Sequence, residues 1–272
     1  MKEFSRRAKK HLKRLLNRFG YEVTAVERVS TIPISKEIPW DVDSEFAALW
    51  SQWSDYTGLP WQAYFTLYEG VRYLVNAGID GALVECGVQQ GVGLIVMGEA
   101  LQRFEGKNRR IFGYDTFSGM SQPTEFDFMA DGVPAEDILA GWPRRDGVPD
   151  FCYGPYEDVL KNIRKSKCAI EHISLVKGKV EETIPGTIPD TIALLKLDTD
   201  WYESTRHELE HLYPLLNRNG ILVVDDYGCW FGARKAVDEY FASGDRPFFV
   251  LDAPHGSRVA QKVEQPFEKS GG

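Results

Sequence analysis

From residue 81 onward, short apolar runs alternate with amphipathic stretches. Ala82–Cys86, Ile111–Asp115, Ile173–Val176, Ile192–Asp198 and Ile221–Asp226 read as strands. Residues 92–104, 155–166, 204–216 and 231–242 carry apolar positions at helical spacing. Strands alternating with helices predict an α/β fold, with a mostly parallel sheet and helices on both faces. Its crossovers are right-handed. Two more strands, Phe248–Asp252 and Val259–Val263, are joined through Ala-Pro-His-Gly-Ser. That connection is too short for a helical crossover, so this last pair is expected to be antiparallel. The prediction is a seven-stranded sheet ending in an antiparallel hairpin.

Upstream the pattern differs. Residues 2–19 place Phe4, Ala8, Leu12, Leu15, Leu16 and Phe19 on one side of a helix and basic residues on the rest. Residues 30–41 are broken by Pro33 and Pro39 and read as linker. Residues 43–77 look helical and carry many aromatics, as core, lid or acceptor wall. The expected organisation is a basic arm at 1–20, a helical cap at 21–77 and a main domain at 78–272. Within that domain, residues 118–154 show no clear periodicity and read as a lid loop. Phe126, Phe128, Trp142 and Tyr153 are its candidate stacking residues.

Charge sharpens the picture. The net charge is −8, yet residues 1–20 hold eight Lys/Arg against one acid. The remaining chain has 24 basic and 39 acidic residues. A body this acidic excludes general nucleic-acid binding, which needs a positive field. The basic arm suits peripheral contact with an anionic membrane surface, a solvated arm, or a helix on a partner subunit. A homo-oligomer is the expected assembly. No stretch is long and apolar enough for a membrane span, and the basic start lacks the apolar block of a secretory signal. The four cysteines form no CxxC pair, which argues against a zinc site or disulfide framework and for a reducing, cytoplasmic setting.

Ligands of open α/β sheets bind beyond the carboxyl ends of the strands. The first strand runs into Glu85-Cys86-Gly87-Val88-Gln89-Gln90-Gly91-Val92-Gly93. These glycines permit a tight turn and a close ligand approach, and Glu85 could bind the amino group of an amino-acid ligand. The second strand ends in Asp115, an acid placed to take ribose hydroxyls. Together they point to an adenosine-containing cofactor. Further along, Leu197-Asp198-Thr199-Asp200 and Val224-Asp225-Asp226-Tyr227 crowd carboxylates at neighbouring tips. Such acids repel unless a cation joins them, and an all-oxygen set favours magnesium, calcium or manganese. Asp198, Asp225 and Asp226 are the preferred ligands. Helix capping would account for Asp200 and Asp226 alone. His207 and His211 have metal-like spacing but lie too far from the tips. His11 belongs to the arm, His172 opens the third strand, and His255 sits in the last turn.

Four segments in order carry a resemblance: Glu85-Cys86-Gly87-Val88, Tyr114-Asp115-Thr116-Phe117-Ser118-Gly119-Met120, Asp198-Thr199-Asp200-Trp201-Tyr202-Glu203-Ser204-Thr205 and Asp225-Asp226-Tyr227-Gly228. Over roughly residues 65–263 the chain resembles the macrocin-type (TylF-like) sugar O-methyltransferases. These are class I, S-adenosylmethionine-dependent and metal-dependent enzymes with a Rossmann-like sandwich. The resemblance implies that Glu85, Gly87, Val88 and Gly91 line the methionine end of the cofactor. Asp115, with Thr116 and Ser118, would hold the ribose, and Gly178 and Lys179 would lie near the adenine. Asp198, also a cofactor contact, would hold magnesium with Asp225 and Asp226. One departure is the glycine loop, Gly87-Val88-Gln89-Gln90-Gly91, where the family usually carries Trp.

The implied reaction moves a methyl group to a sugar hydroxyl of a glycoside, glycolipid or polysaccharide precursor. Asp198 is the first candidate base and Asp200 the second. The alternatives are a catechol or phenol O-methyltransferase, or a non-catalytic nucleotide-binding protein of the same fold. A nicotinamide-dependent sugar enzyme would need GxGxxG and a YxxxK pair, and neither is present.

Overall fold

A computed structural model describes residues 38–106, 109–145, 147–243, 248–252 and 256–263. The arm at 2–19, most of the linker and His255 lie outside the described residues. Helix α1 (Ser44–Trp53) begins where Asp43 accepts hydrogen bonds from the Glu45 and Phe46 amides. Helix α2 (Trp61–Asn76) follows Pro60, and the cap aromatics Phe46, Trp53, Trp61, Tyr64 and Tyr68 are buried. They are core rather than cavity wall. Both helices share one hydrophobic cluster with the sheet.

The sheet strands are β1 (Ala82–Cys86), β2 (Ile111–Asp115), β3 (Ile173–Lys177), β4 (Ile192–Leu197), β5 (Leu216–Val224), β6 (Phe248–Asp252) and β7 (Arg258–Gln261). Among the described residues they form one seven-stranded sheet in the order β3-β2-β1-β4-β5-β7-β6. Pairs from β3 to β5 are parallel, and β7 runs antiparallel to both β5 and β6. The short final connection therefore does what its length requires.

Helices α3 (Val92–Phe104), α4 (Tyr156–Lys165), α5 (Tyr202–Leu212) and α6 (Phe231–Tyr240) complete the layers. Consecutive strand residues serve opposite faces. Leu83, Leu194 and Ile221 join the cluster with α1 to α4, whereas Val84, Leu195 and Leu222 join the one with α5 and α6. Burial on both sides explains why these strands read as continuous apolar runs. None of the described helices is long and apolar enough to cross a membrane.

Two strand ends fall short of the expected bounds. Leu197 ends β4 before Asp198. Val224 ends β5 because Asp225 already has helical backbone angles (φ −69°, ψ −42°). The acidic residues are thus lifted off the sheet onto its rim.

The segment 118–154 is more structured than a loop. It contains the helix Ala135–Gly141, a two-residue hairpin (Arg144–Arg145 with Val148–Pro149) and bridges Phe128↔Pro134 and Met129↔Trp230. Ala135 packs with Trp201, Trp230 and Ala233 in a separate small core.

Candidate active site

Backbone hydrogen bonds continue past the strand ends. The Gly87 amide donates to Tyr114 O, Asp198 to Cys86 O, Asp225 to Leu197 O and Gly178 to Asp115 O, all at 2.9–3.0 Å. Four loops are thereby fixed along one rim. Gly87 is the tightest point, with φ +85° and a Cβ position only 1.8 Å from Asp198 O. Only glycine fits there.

Above this rim lies a cavity of about 480 Å³. That volume suits a small organic molecule. Gly87, Gln89, Asp115, Thr116, Gly178 and Lys179 line one end. Met120, Trp142, Phe151 and Trp230 also line it. Glu85, Val88, Gly91 and Ser118 are not part of the lining among the described residues. Val88 turns into the core, and Gly91 starts α3 with φ +87°.

Asp115, the residue expected to take ribose hydroxyls, also accepts backbone hydrogen bonds. Its Oδ2 accepts from the Val88 and Gln89 amides at 2.8 and 2.9 Å, and its Oδ1 accepts from Phe117 N at 2.7 Å. Burial raises this carboxyl against those stabilising amides. The residue therefore fastens the glycine loop to β2. In that loop Gln89 stands where the resembled family carries Trp, and Gln90 follows it. Gln90 Nε2 donates to Tyr153 O at 3.0 Å, and the Gln90 carbonyl accepts from Asn162 Nδ2 at 3.0 Å.

Three carboxylates converge. Asp198, Asp200 and Asp226 each offer an oxygen, and these lie within 4.8 Å of one another. Among the described residues this set contains Asp200 where the sequence favoured Asp225. The reason is local: Asp200 N donates to Asp226 Oδ2 at 3.0 Å, with Asp200 in left-handed backbone at φ +67°. Asp225 lines the same cavity. Burial pushes Asp200 up to about 6, against its hydrogen bond with Asp226 and with Asp225 and Asp127 adding to the rise. Asp226 lies well above the usual carboxylate range through burial and then the charges of Asp200 and Asp198. Repulsion of this kind is what a bound cation relieves, and the donors are all oxygen.

Lys196 was legible only as part of a strand. Its Nζ, almost fully buried, donates to Asp198 Oδ2 at 2.7 Å and Glu85 Oε1 at 2.8 Å. Burial alone would lower its pKa, but the Asp198 and Glu85 charges hold it well above the ordinary lysine value. Glu85 is thus paired inside the protein, behind the cavity. Asp198 is raised by burial, opposed by Lys196 and reinforced by Asp225 and Asp200.

Helix capping does not consume the site acids. The Tyr202 amide at the start of α5 donates to Asp127 Oδ1 at 2.7 Å. Asp127 Oδ2 in turn accepts from Thr124 N and Oγ1. A residue of the lid segment therefore caps the helix that follows Asp200. Of the four candidate stacking aromatics, only Trp142 lines the cavity among the described residues. Phe128 stacks on Phe231, Phe126 meets Tyr202, and Tyr153 lies under Arg145. On α5, His207 Nε2 lies 2.9 Å from Ile184 O and His211 Nδ1 lies 2.9 Å from His207 O, and neither ring lines the cavity.

Glu208, fully buried on α5, accepts from Thr199 Oγ1 at 2.9 Å, and its Oε2 finds no partner. Burial raises its pKa far above the usual value, with Thr199 opposing and Glu181 and Asp198 adding. Burial thus favours its protonated form in the folded chain more than in the unfolded one. That contribution is present below the unfolded value and is lost as pH rises towards the folded one. Glu208→Gln is expected to gain stability over wild type progressively as pH rises above the ordinary glutamate range. Thermal melts from that range upward check this, and a constant difference contradicts it.

Comparison with known proteins bears on the family and the fold. The family profile Macrocin-O-methyltransferase (TylF) matches residues 62–246. The demethyldecarbamoylnovobiocin O-methyltransferase of Streptomyces niveus is 32% identical over 175 residues, 64% of this chain and 63% of that protein. The mycinamicin III 3''-O-methyltransferase of Micromonospora griseorubida is 28% identical over 170 residues, 62% of this chain and 64% of that protein. The match thus spans less than two thirds of either relative's own length. Among solved structures, the O-methyltransferase NovP superposes with a TM-score of 0.64 at 27% identity, covering 77% of this chain and 83% of its own. The calicheamicin methyltransferase CalS11 shares the fold, with a TM-score of 0.56 at 18% identity, 83% of this chain and 94% of its own. The family match runs from α2 through the rim to α6 and takes in every cavity residue from Gly87 to Trp230, so the chain belongs to the macrocin-O-methyltransferase (TylF) family.

Proposed function

We propose that the chain transfers a methyl group from S-adenosylmethionine to a sugar hydroxyl of a glycoside, glycolipid or polysaccharide precursor, with a divalent cation at its carboxylate cluster. The observation that carries this reading is the convergence of Asp198, Asp200 and Asp226 on the cavity whose rim is the Gly87 loop. The family match and the names of the relatives support the same reaction class. The cavity volume fits the cofactor, and the all-oxygen acidic cluster fits a hard cation.

Gly87, Gln89, Asp115, Thr116, Gly178 and Lys179 would hold the cofactor, with Glu85, Val88, Gly91 and Ser118 shaping the loops around it. Asp198, Asp200 and Asp226 would hold the cation, with Asp225 beside them. The sulfonium supplies a methyl group that is already electrophilic, and a divalent cation makes a hydroxyl more acidic. The chain's own part is placement and proton removal. Lys196 already occupies one oxygen of Asp198. Asp200, which lines the same cavity, would be the group placed to accept the proton. Trp142, Phe151 and Trp230 exclude water and offer flat surfaces to an acceptor.

The test is calorimetric titration of S-adenosylhomocysteine with and without magnesium, then methyl transfer to a panel of glycosides. Cofactor binding with magnesium-dependent transfer to a sugar hydroxyl is the expected result. Absence of cofactor binding overturns the reading. The aromatic wall also suits a phenolic ring, so the panel includes catechols; turnover of catechols alone replaces the sugar acceptor with a phenol.

The proposed setting is the cytoplasm, as a homo-oligomer touching the inner membrane surface through residues 2–19. Deleting residues 1–20 is expected to abolish co-sedimentation with anionic vesicles. Unchanged sedimentation removes the membrane contact from the proposal.

A further inference from the structure

The ammonium of Lys196 is held from three sides. Its strand neighbour Glu85 stands directly opposite it in the β1–β4 ladder and accepts from it at 2.8 Å. Glu85 is itself boxed in, because a Cβ at Gly93 would lie 2.0 Å from its Oε1. The Tyr64 ring lies 5.9 Å from Nζ. The third side is Asp198, whose Oδ2 accepts from Nζ at 2.7 Å. With Oδ2 facing the ammonium, a cation on that oxygen would share it with Lys196, and Oδ1 is the Asp198 oxygen without that competing charge. Asp226 is restricted in the same manner, since its Oδ2 accepts from Asp200 N at 3.0 Å.

Cations differ in what they ask of carboxylates. Magnesium takes six ligands in a strict octahedron and is served by single oxygens. Calcium takes six to eight and often binds both oxygens of one carboxylate. We propose that Lys196 sets the cation selectivity of the cluster, by holding Asp198 to a single donor oxygen and so favouring magnesium over calcium. The inference rests on the metal-dependent reading above. It assigns to a residue outside the cavity a role that acts through Asp198. Removing the ammonium frees Oδ2, and the cluster gains the extra donor that a larger ion uses.

The experiment is calorimetric titration of Mg²⁺ and of Ca²⁺ into wild type, Glu85→Gln, and the double variant Lys196→Met/Glu85→Gln. The double variant removes the ammonium together with the acid behind it, so no unpaired charge is left behind Asp198, which itself faces the cavity. Glu85→Gln keeps the ammonium on Asp198 and controls for packing behind the site. Wild type and Glu85→Gln are expected to share one preference for Mg²⁺. In the double variant the ratio of Ca²⁺ to Mg²⁺ dissociation constants is expected to fall by about tenfold or more. If that variant does not melt cooperatively, Lys196→Leu/Glu85→Leu gives the same readout with an apolar pair. An unchanged ratio in a folded double variant overturns the role of Lys196 while leaving the cation site standing. An equal shift in Glu85→Gln overturns it too, because packing alone would then set the preference. Failure of wild type to bind either ion overturns the metal reading and this inference with it.

Discussion

Asp226→Asn is expected to abolish divalent-cation binding and to lower methyl transfer by about three orders of magnitude, or about 4 kcal/mol of transition-state stabilisation. The substitution is chosen because an amide oxygen can still accept from Asp200 N, the bond that holds the two loops together at 3.0 Å. The fold is therefore kept while one negative charge leaves a cluster whose oxygens lie within 4.8 Å. Loss of that charge also relieves the repulsion by Asp200 and Asp198 that raises Asp226 itself, so thermal stability without metal is expected to rise. The combination discriminates: a merely structural Asp226 would lose stability and activity together. Calorimetry with magnesium, initial rates and a melting curve on one preparation provide the check. Full activity with no metal response would remove the cation from the mechanism.

Gly87→Ala is expected to eliminate detectable binding of S-adenosylhomocysteine and to lower the melting temperature by at least about 5 °C. Left-handed backbone alone costs alanine about 1–2 kcal/mol. The new Cβ would also stand 1.8 Å from Asp198 O, which forces the ends of β1 and β4 apart. That separation breaks the Asp198 N to Cys86 O bond and displaces the carboxylate with it. Differential scanning calorimetry and cofactor titration test both halves. Retained cofactor affinity would mean that the ends of β1 and β4 can part without disturbing the cavity.

The strands were legible because each is an apolar run buried on both faces, and their carboxyl ends could be read directly for chemistry. Gly87, Asp115, Thr116, Gly178, Lys179 and Asp198 accordingly do line the cavity. Three things were not legible. Segment 118–154 hid its structure because a seven-residue helix and two-residue strands are too short to show a period. The choice between Asp200 and Asp225 depends on one backbone hydrogen bond and a left-handed residue, which composition does not encode. Lys196 does carry a signal in the sequence: a lysine inside a doubly buried strand must find an anion. Glu85 on the neighbouring strand and Asp198 two positions on are those anions. Finding the pair needed the register of β1 against β4, which only the fold supplies.

The hydrogen bonds that run past the strand tips tie the reactive rim to the slowest-opening part of the molecule. Amides of Gly87, Asp198 and Asp225 donate to carbonyls of neighbouring strand ends or tips. Such amides exchange with solvent deuterium only when the sheet itself opens. The floor of the cavity should therefore be among the most protected backbone in the chain, whereas the lid segment exchanges early. In rising denaturant, grip on the cofactor and the central sheet should disappear in a single transition, after contacts to the acceptor have already been lost.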